Sequence, residues 1–220
     1  AEALKNKSNG KAVFRYRHNA GHYIWLESHG NLLLDEKGEV SGATFVNRDI
    51  TERKLAAEKL HATNRQLFDI LDFLPDATFV IDHERKVIAW NRAMEKMTGI
   101  PKGEILGKGN SFYSAPFYWE PTPMLIDLIF SNDREHELQY NFFERQGNLL
   151  FAENFTPAFN DGKGGDLWGT ASPLFDSEGN LTGAIESIRN ITARKRIDEE
   201  LQRINKAVEN SSNAVVMTDT

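Results

Sequence analysis

The 220 residues include no cysteine, which excludes a disulfide, a thiolate nucleophile, a Cys-ligated zinc or iron–sulfur centre and any cysteinyl photoadduct. Long apolar runs are missing too. The longest, such as Tyr23-Ile24-Trp25-Leu26 and Ala214-Val215-Val216-Met217, are about four residues, against the roughly 20 that a membrane span needs. No block of Lys or Arg interrupts the chain, and 26 basic against 32 acidic residues leave a net charge of −6, so the sequence predicts no nucleic-acid partner. There is no initiating Met and no signal-peptide pattern, and the chain ends within an apolar, strand-like run. This reads as an excised fragment of a cytoplasmic protein, with any membrane tether of the parent lying elsewhere. What is present, 40% hydrophobic and 26% charged residues, is the ordinary composition of a folded globular chain.

The sequence repeats itself. Residues 35–43 (DEKGEVSGA) align with residues 176–184 (DSEGNLTGA), and residues 48–54 (RDITERK) with residues 189–195 (RNITARK), so one unit ends twice. More weakly, residues 76–82 (DATFVID) align with residues 213–219 (NAVVMTD), so one unit also begins twice. Each ending is a Gly-containing turn, an apolar strand and a Thr that opens a charged helix. The first such helix carries Ala57, Asn64 and Leu71 at one heptad position and Leu60, Leu67 and Leu74 at the other. The second carries Ile197, Leu201, Ile204 and Val208 at spacings of four, three and four. Either two copies of the chain meet along these seams, or each helix packs on its own domain.

Within the middle unit, strands over residues 77–82 and 86–90 flank a turn at His83-Glu84-Arg85. Asn91 then caps a short helix that Thr98-Gly99 and Pro101 bring to an end. Helical turns are expected over residues 102–106 and 121–130, with an aromatic stretch over 112–119 between them. Residues 131–147 fit a helix through Leu138, Phe142 and Arg145, although Tyr140 and Phe143 blur the period. Strands over 149–159, 167–175 and 181–191, joined by Gly-rich turns, close the unit.

These residues resemble the PAS (sensory-box) family. The resemblance is carried by Ile88-Ala89-Trp90-Asn91, Ala93, Met97-Thr98-Gly99, Glu104-Ile105-Leu106-Gly107-Lys108, and the ending Asp176, Gly179-Asn180, Gly183-Ala184 and Arg189-Asn190-Ile191-Thr192. It implies an α+β fold: a five-stranded antiparallel sheet in the order 2-1-5-4-3, with short helices over one face enclosing a small pocket. It also implies a tandem array: residues 1–54 as the closing strands of a preceding domain with Trp25 answering Trp168, 55–75 and 194–212 as linker helices, 76–193 as a complete domain, and 213–220 as the first strand of a following one. Such modules sense a ligand, a redox state or a partner and inform an output domain, in prokaryotes most often a histidine kinase. The implied partners are neighbouring PAS and output domains and a second copy of the chain, joined along Leu60, Leu67, Leu71, Leu201 and Ile204. The resemblance further implies that signal passes through the strand-to-helix junctions at Asp49 and Thr51 and at Asn190 and Thr192. Asn190 replaces the usual Asp there: it can still cap the helix but cannot form an ion pair.

Register set by the family ending turns Ala184, Glu186 and Ile188 toward the pocket. Glu186 then holds a polar or cationic part of a small molecule, or titrates, or is satisfied internally by Tyr113, Tyr118 or an inward polar residue of the preceding strands. Phe79, Ile81 and Met94 are expected as apolar walls. Phe112, Tyr113 and Tyr118 would stack on a planar ligand or fill the core, and Glu153 faces either the pocket or the outer sheet. The cofactor is left unnamed. Heme is disfavoured because residues 121–130 contain no His, and cysteinyl-flavin photochemistry is excluded. His18 and His22 flank a turn, not one helical face, so no metal site is expected. His136-Glu137-Leu138 looks like a kinase phosphoacceptor motif, but no Arg-Thr-Pro follows and no room remains for an ATP-binding domain; no catalytic residue is assigned.

Overall fold

A computed structural model describes residues 10–131 and 133–209, and the chain divides into two compact units at Phe68/Asp69. The repeated beginning expected at residues 213–220 lies outside the described residues.

In the first unit, β1 (Gly10–Arg17), β2 (Tyr23–Leu34) and β3 (Val40–Asp49) form an antiparallel sheet in sequence order. Both connections are tight turns that place glycine in the left-handed region, Gly21 at φ 89° and Gly38 at φ 76°. Phe14, Tyr16 and Phe45 lie on one face of this sheet and are exposed. Helix α1 (Thr51–Phe73) follows β3 after one residue and buries none of its side chains.

The second unit is built on a six-stranded antiparallel sheet: β4 (Ala77–Asp82), β5 (Val87–Trp90), β6 (Phe142–Gln146), β7 (Leu149–Thr156), β8 (Gly165–Phe175) and β9 (Leu181–Asn190), in the spatial order β5-β4-β9-β8-β7-β6. Apart from β6, which adds an edge strand, this is the expected 2-1-5-4-3 order. The helix expected over residues 131–147 is confined to α5 (Arg134–Glu137). Gly147, at φ 60°, and Asn148 form a two-residue hairpin link, with Gln146 opposite Leu149. Phe142 stacks on Trp168 at 5.6 Å, so cross-strand aromatic packing overrides the helical period.

Between β5 and β6 the chain crosses the inner face of the sheet as α2 (Arg92–Thr98), α3 (Lys102–Ile105), a 3₁₀ turn at Phe112–Ser114, α4 (Ala115–Tyr118) and a 3₁₀ helix at Leu125–Ile129. Asn91 is 1% exposed and does more than cap α2. Its Oδ1 accepts from the Met94 and Thr78 amides, both at 2.9 Å, and its Nδ2 donates to the carbonyls of Leu71 and Asp76 at 3.2 and 2.9 Å. One side chain thus joins the end of α1, the start of β4 and the start of α2. Phe79, Ile81, Trp90, Met94, Ile105, Tyr113, Phe117 and Ile188 form the core beneath these segments. Helix α6 (Thr192–Glu209) leaves β9 after one residue. No described helix is long and apolar enough to cross a membrane.

Candidate functional site

The alternation of β9 turns Ala184, Glu186 and Ile188 inward, with Glu186 opposite Phe79 on β4 and Ala171 on β8. Glu186 is 2% exposed, and its Oε2 accepts from the Ile126 amide at 2.9 Å. Burial pushes its carboxyl up to about 8; the Ile126 amide pulls it down, and the Asp127 carboxylate adds to the rise. The contact requires the Leu125–Ile129 turn to lie close on the sheet. A Cβ at Gly169 would come within 3.1 Å of Leu125 and 3.3 Å of Glu186, so glycine makes room there.

Asp127, equally buried, is satisfied separately: Oδ1 accepts from the Tyr113 hydroxyl at 2.7 Å and Oδ2 from the Met124 amide at 2.8 Å. Beside Glu186 is a cavity of about 30 Å³ whose lining includes Phe117, Tyr118, Tyr140, Asn154, Glu186 and Ile188. Its polar wall and volume suit one or two waters, since about 10–15 Å³ admits one. Burial raises the Tyr118 and Tyr140 phenols above their ordinary value, with Glu186 contributing less.

Of the residues expected at the pocket, Glu186, Ile188 and Tyr118 line this cavity, while Phe79, Ile81, Met94, Tyr113 and Ala184 are packed in the core. Two are placed elsewhere. Phe112 is 49% exposed because the 3₁₀ turn that drives Tyr113 inward rotates its neighbour outward. Glu153 is on the outer face, opposite Trp168, and ion-pairs with Lys195.

At the end of β9, the Thr192 hydroxyl oxygen accepts from the Asp166 amide at 2.9 Å, the Ile191 amide donates to the Asp166 carbonyl at 2.9 Å, and Asn190 Oδ1 accepts from the Thr192 amide at 3.0 Å. The first unit repeats this frame bond for bond. Thr51 Oγ1 accepts from the Trp25 amide at 2.8 Å, the Ile50 amide donates to the Trp25 carbonyl at 2.9 Å, and Asp49 Oδ1 accepts from the Thr51 amide at 2.8 Å. Bonds from Thr51 hold the Asp49 carboxyl below its ordinary value. Trp25 therefore answers Asp166, not Trp168: matching the hydrogen-bonded residues, rather than the nearest indole, sets the register. Asn190 reproduces the cap without a charge.

Beyond the junctions, Leu60, Leu67, Leu201 and Ile204 are exposed and Leu71 is half-buried. Asp166 carries no signal in the sequence, and Glu153, expected at the pocket or the outer sheet, is at the junction instead; the one pointer to it is that Lys54 and Lys195 align in the repeat.

Residues 65–109 match the family model for the PAS fold. The chain is 28% identical over 161 residues to phytochrome E of Ipomoea nil, covering 68% of this chain and 13% of that protein. It is 23% identical over 201 residues to the probable diguanylate cyclase DgcE of Escherichia coli K12, covering 91% and 17% respectively. The chain thus spans less than a fifth of either relative. The PAS domain of Bordetella pertussis BvgS covers 66% of this chain and 98% of its own, with 18% identity and a TM-score of 0.41. The unit that begins at Asp69, with its antiparallel sheet and short inner-face helices, has the PAS fold.

Proposed function

We propose that the chain relays a conformational signal along a PAS array, passing it from the core of the second unit through β9 to α6 and on to an output domain of the parent. The observation that carries this reading is the twice-built junction, in which one threonine oxygen ties the first residue of a helix to the strand beside the one that leads into it. A frame fixed by three hydrogen bonds on two strands transmits a shift of the sheet to the helix axis instead of absorbing it in a loop. In this account residues 1–54 are the closing part of a preceding PAS domain, and the parent works in the cytoplasm. Its output is a histidine kinase, as the family resemblance suggests, or a cyclase of the kind named for the E. coli relative.

The partner along the relay is a second copy of the chain. Ile197, Leu201, Ile204 and Val208 are exposed on α6 at a 3.5-residue period, which closes against another helix of the same period, and the chain itself supplies one. The cavity of about 30 Å³ supports relay over storage of a metabolite, because ligand sites run to hundreds of Å³. A second reading, small-molecule sensing, is favoured by one feature: the Glu186 carboxyl is inside the core at the cavity wall. Native mass spectrometry of the purified chain, read against its denatured mass, separates the two. The relay reading expects a dimer at the bare chain mass; a retained small molecule overturns it in favour of sensing.

A further inference from the structure

Helix α6 begins with the wrong charges. Its first turn holds no acidic residue, and Arg194, Lys195 and Arg196 put three cations at the end of a helix whose dipole is already positive. By contrast, α1 has Glu52 in its first turn. The acid that α6 does not carry comes from the sheet: Lys195 Nζ is 3.0 Å from Asp166 Oδ1 on β8 and forms an ion pair with Glu153 on β7. All three side chains are partly buried, at 33, 20 and 20% exposure. Among the described residues the aligned cation of the first junction, Lys54, meets no such pair; its Nζ is 5.2 Å from the centre of the Trp25 ring, the residue that stands where Asp166 does.

We propose that Lys195 is a positioning residue for the relay: with Glu153 and Asp166 it forms a charge clamp that fixes the start of α6 to two neighbouring strands, making the second junction electrostatic where the first is aromatic. This rests on reading the junction as a relay, and it adds a part that the three-bond frame does not contain. The clamp gives β7 a hold on α6 although β7 makes none of the frame's hydrogen bonds. It also supplies negative charge where Asn190 brings none. Both acids raise the affinity of the Lys195 ammonium for its proton, Glu153 more than Asp166, as expected of charge-assisted bonds. The consequence is a junction that loosens with ionic strength more than its upstream counterpart does.

The test is amide hydrogen exchange of α6 in the full chain at about 0.01 M and about 1 M salt, where the screening length falls from about 30 to about 3 Å. Lys195→Met should speed exchange of the Arg196 and Ile197 amides about fivefold at low salt, with the effect fading at high salt. Lys195→Arg should restore wild-type exchange, and the exchanged pair Glu153→Lys with Lys195→Glu should restore most of it. Lys54→Met should leave α6 unchanged at either salt. Equal acceleration by Lys195→Met at both salts, no acceleration, or no rescue by Arg would overturn the clamp. These readouts involve no perturbation of the core, so they stand apart from whether a core signal reaches α6.

Discussion

Glu186 on β9 accepts a hydrogen bond from the Ile126 amide at 2.9 Å, and this contact joins the middle of the sheet to the turn that covers it. A carboxyl so buried, with Asp127 nearby, is held protonated, and the neutral acid still accepts the bond.

The first prediction concerns pH. The folded-state value of about 8 exceeds the ordinary 4.5, so between these values the native state binds more protons than the unfolded chain. Stability contributed by Glu186 is full below pH 4.5 and falls as pH rises toward 8, with a slope of up to about 1.4 kcal/mol per pH unit. Glu186→Gln, a neutral isostere, should flatten the melting temperature between pH 6 and 8, as read by calorimetry.

A second prediction tests the junction. Thr192→Val removes the oxygen that accepts from the Asp166 amide and should cost about 1–2 kcal/mol in chemical denaturation, whereas Thr192→Ser should be nearly neutral. Thr51→Val should act in the same sense on the first unit through Trp25.

Asn91→Ala strands the Thr78 and Met94 amides and frees the Leu71 and Asp76 carbonyls at once. A loss of about 2–4 kcal/mol is expected in urea unfolding, and Asn91→Asp should be at least as harmful because it aims a carboxylate at those carbonyls.

Gly169→Ala places a methyl 3.1 Å from Leu125 and 3.3 Å from Glu186. It should cost about 1 kcal/mol through overpacking, and Gly169→Val should cost more, since its larger side chain must displace the turn that donates to Glu186. Thermal melts of the three proteins give the order.

Much of this was legible in the sequence, and the rest failed for identifiable reasons. The inward face of β9 followed from strict alternation anchored by the repeated ending, and Asn91 as a cap followed from local spacing. Its hold on the Leu71 and Asp76 carbonyls did not, because those partners are 20 and 15 residues away. Strand β6 was hidden by the adjacent pair Phe142 and Phe143, which satisfies neither a helical nor a strand period. The outward turn of Phe112 depends on a single 3₁₀ turn. Glu153 was ambiguous because a one-residue change in register moves a side chain to the other face of a sheet, and only its pairing with Phe142 and Trp168 settles which.

The central claim is that events at Glu186 are felt on α6. The most direct measurement is an NMR pH titration of backbone amides in the full chain, comparing Ile126 with Thr192 to Ile197. Six residue steps of largely extended chain separate Glu186 from Thr192, roughly 20 Å, well beyond the screening length of about 8 Å at physiological salt. The account predicts an inflection near pH 8 at both places. Glu186→Gln should abolish both, and Thr192→Val should keep it at Ile126 but lose it on α6. An inflection confined to Ile126 in the wild-type chain would contradict the relay.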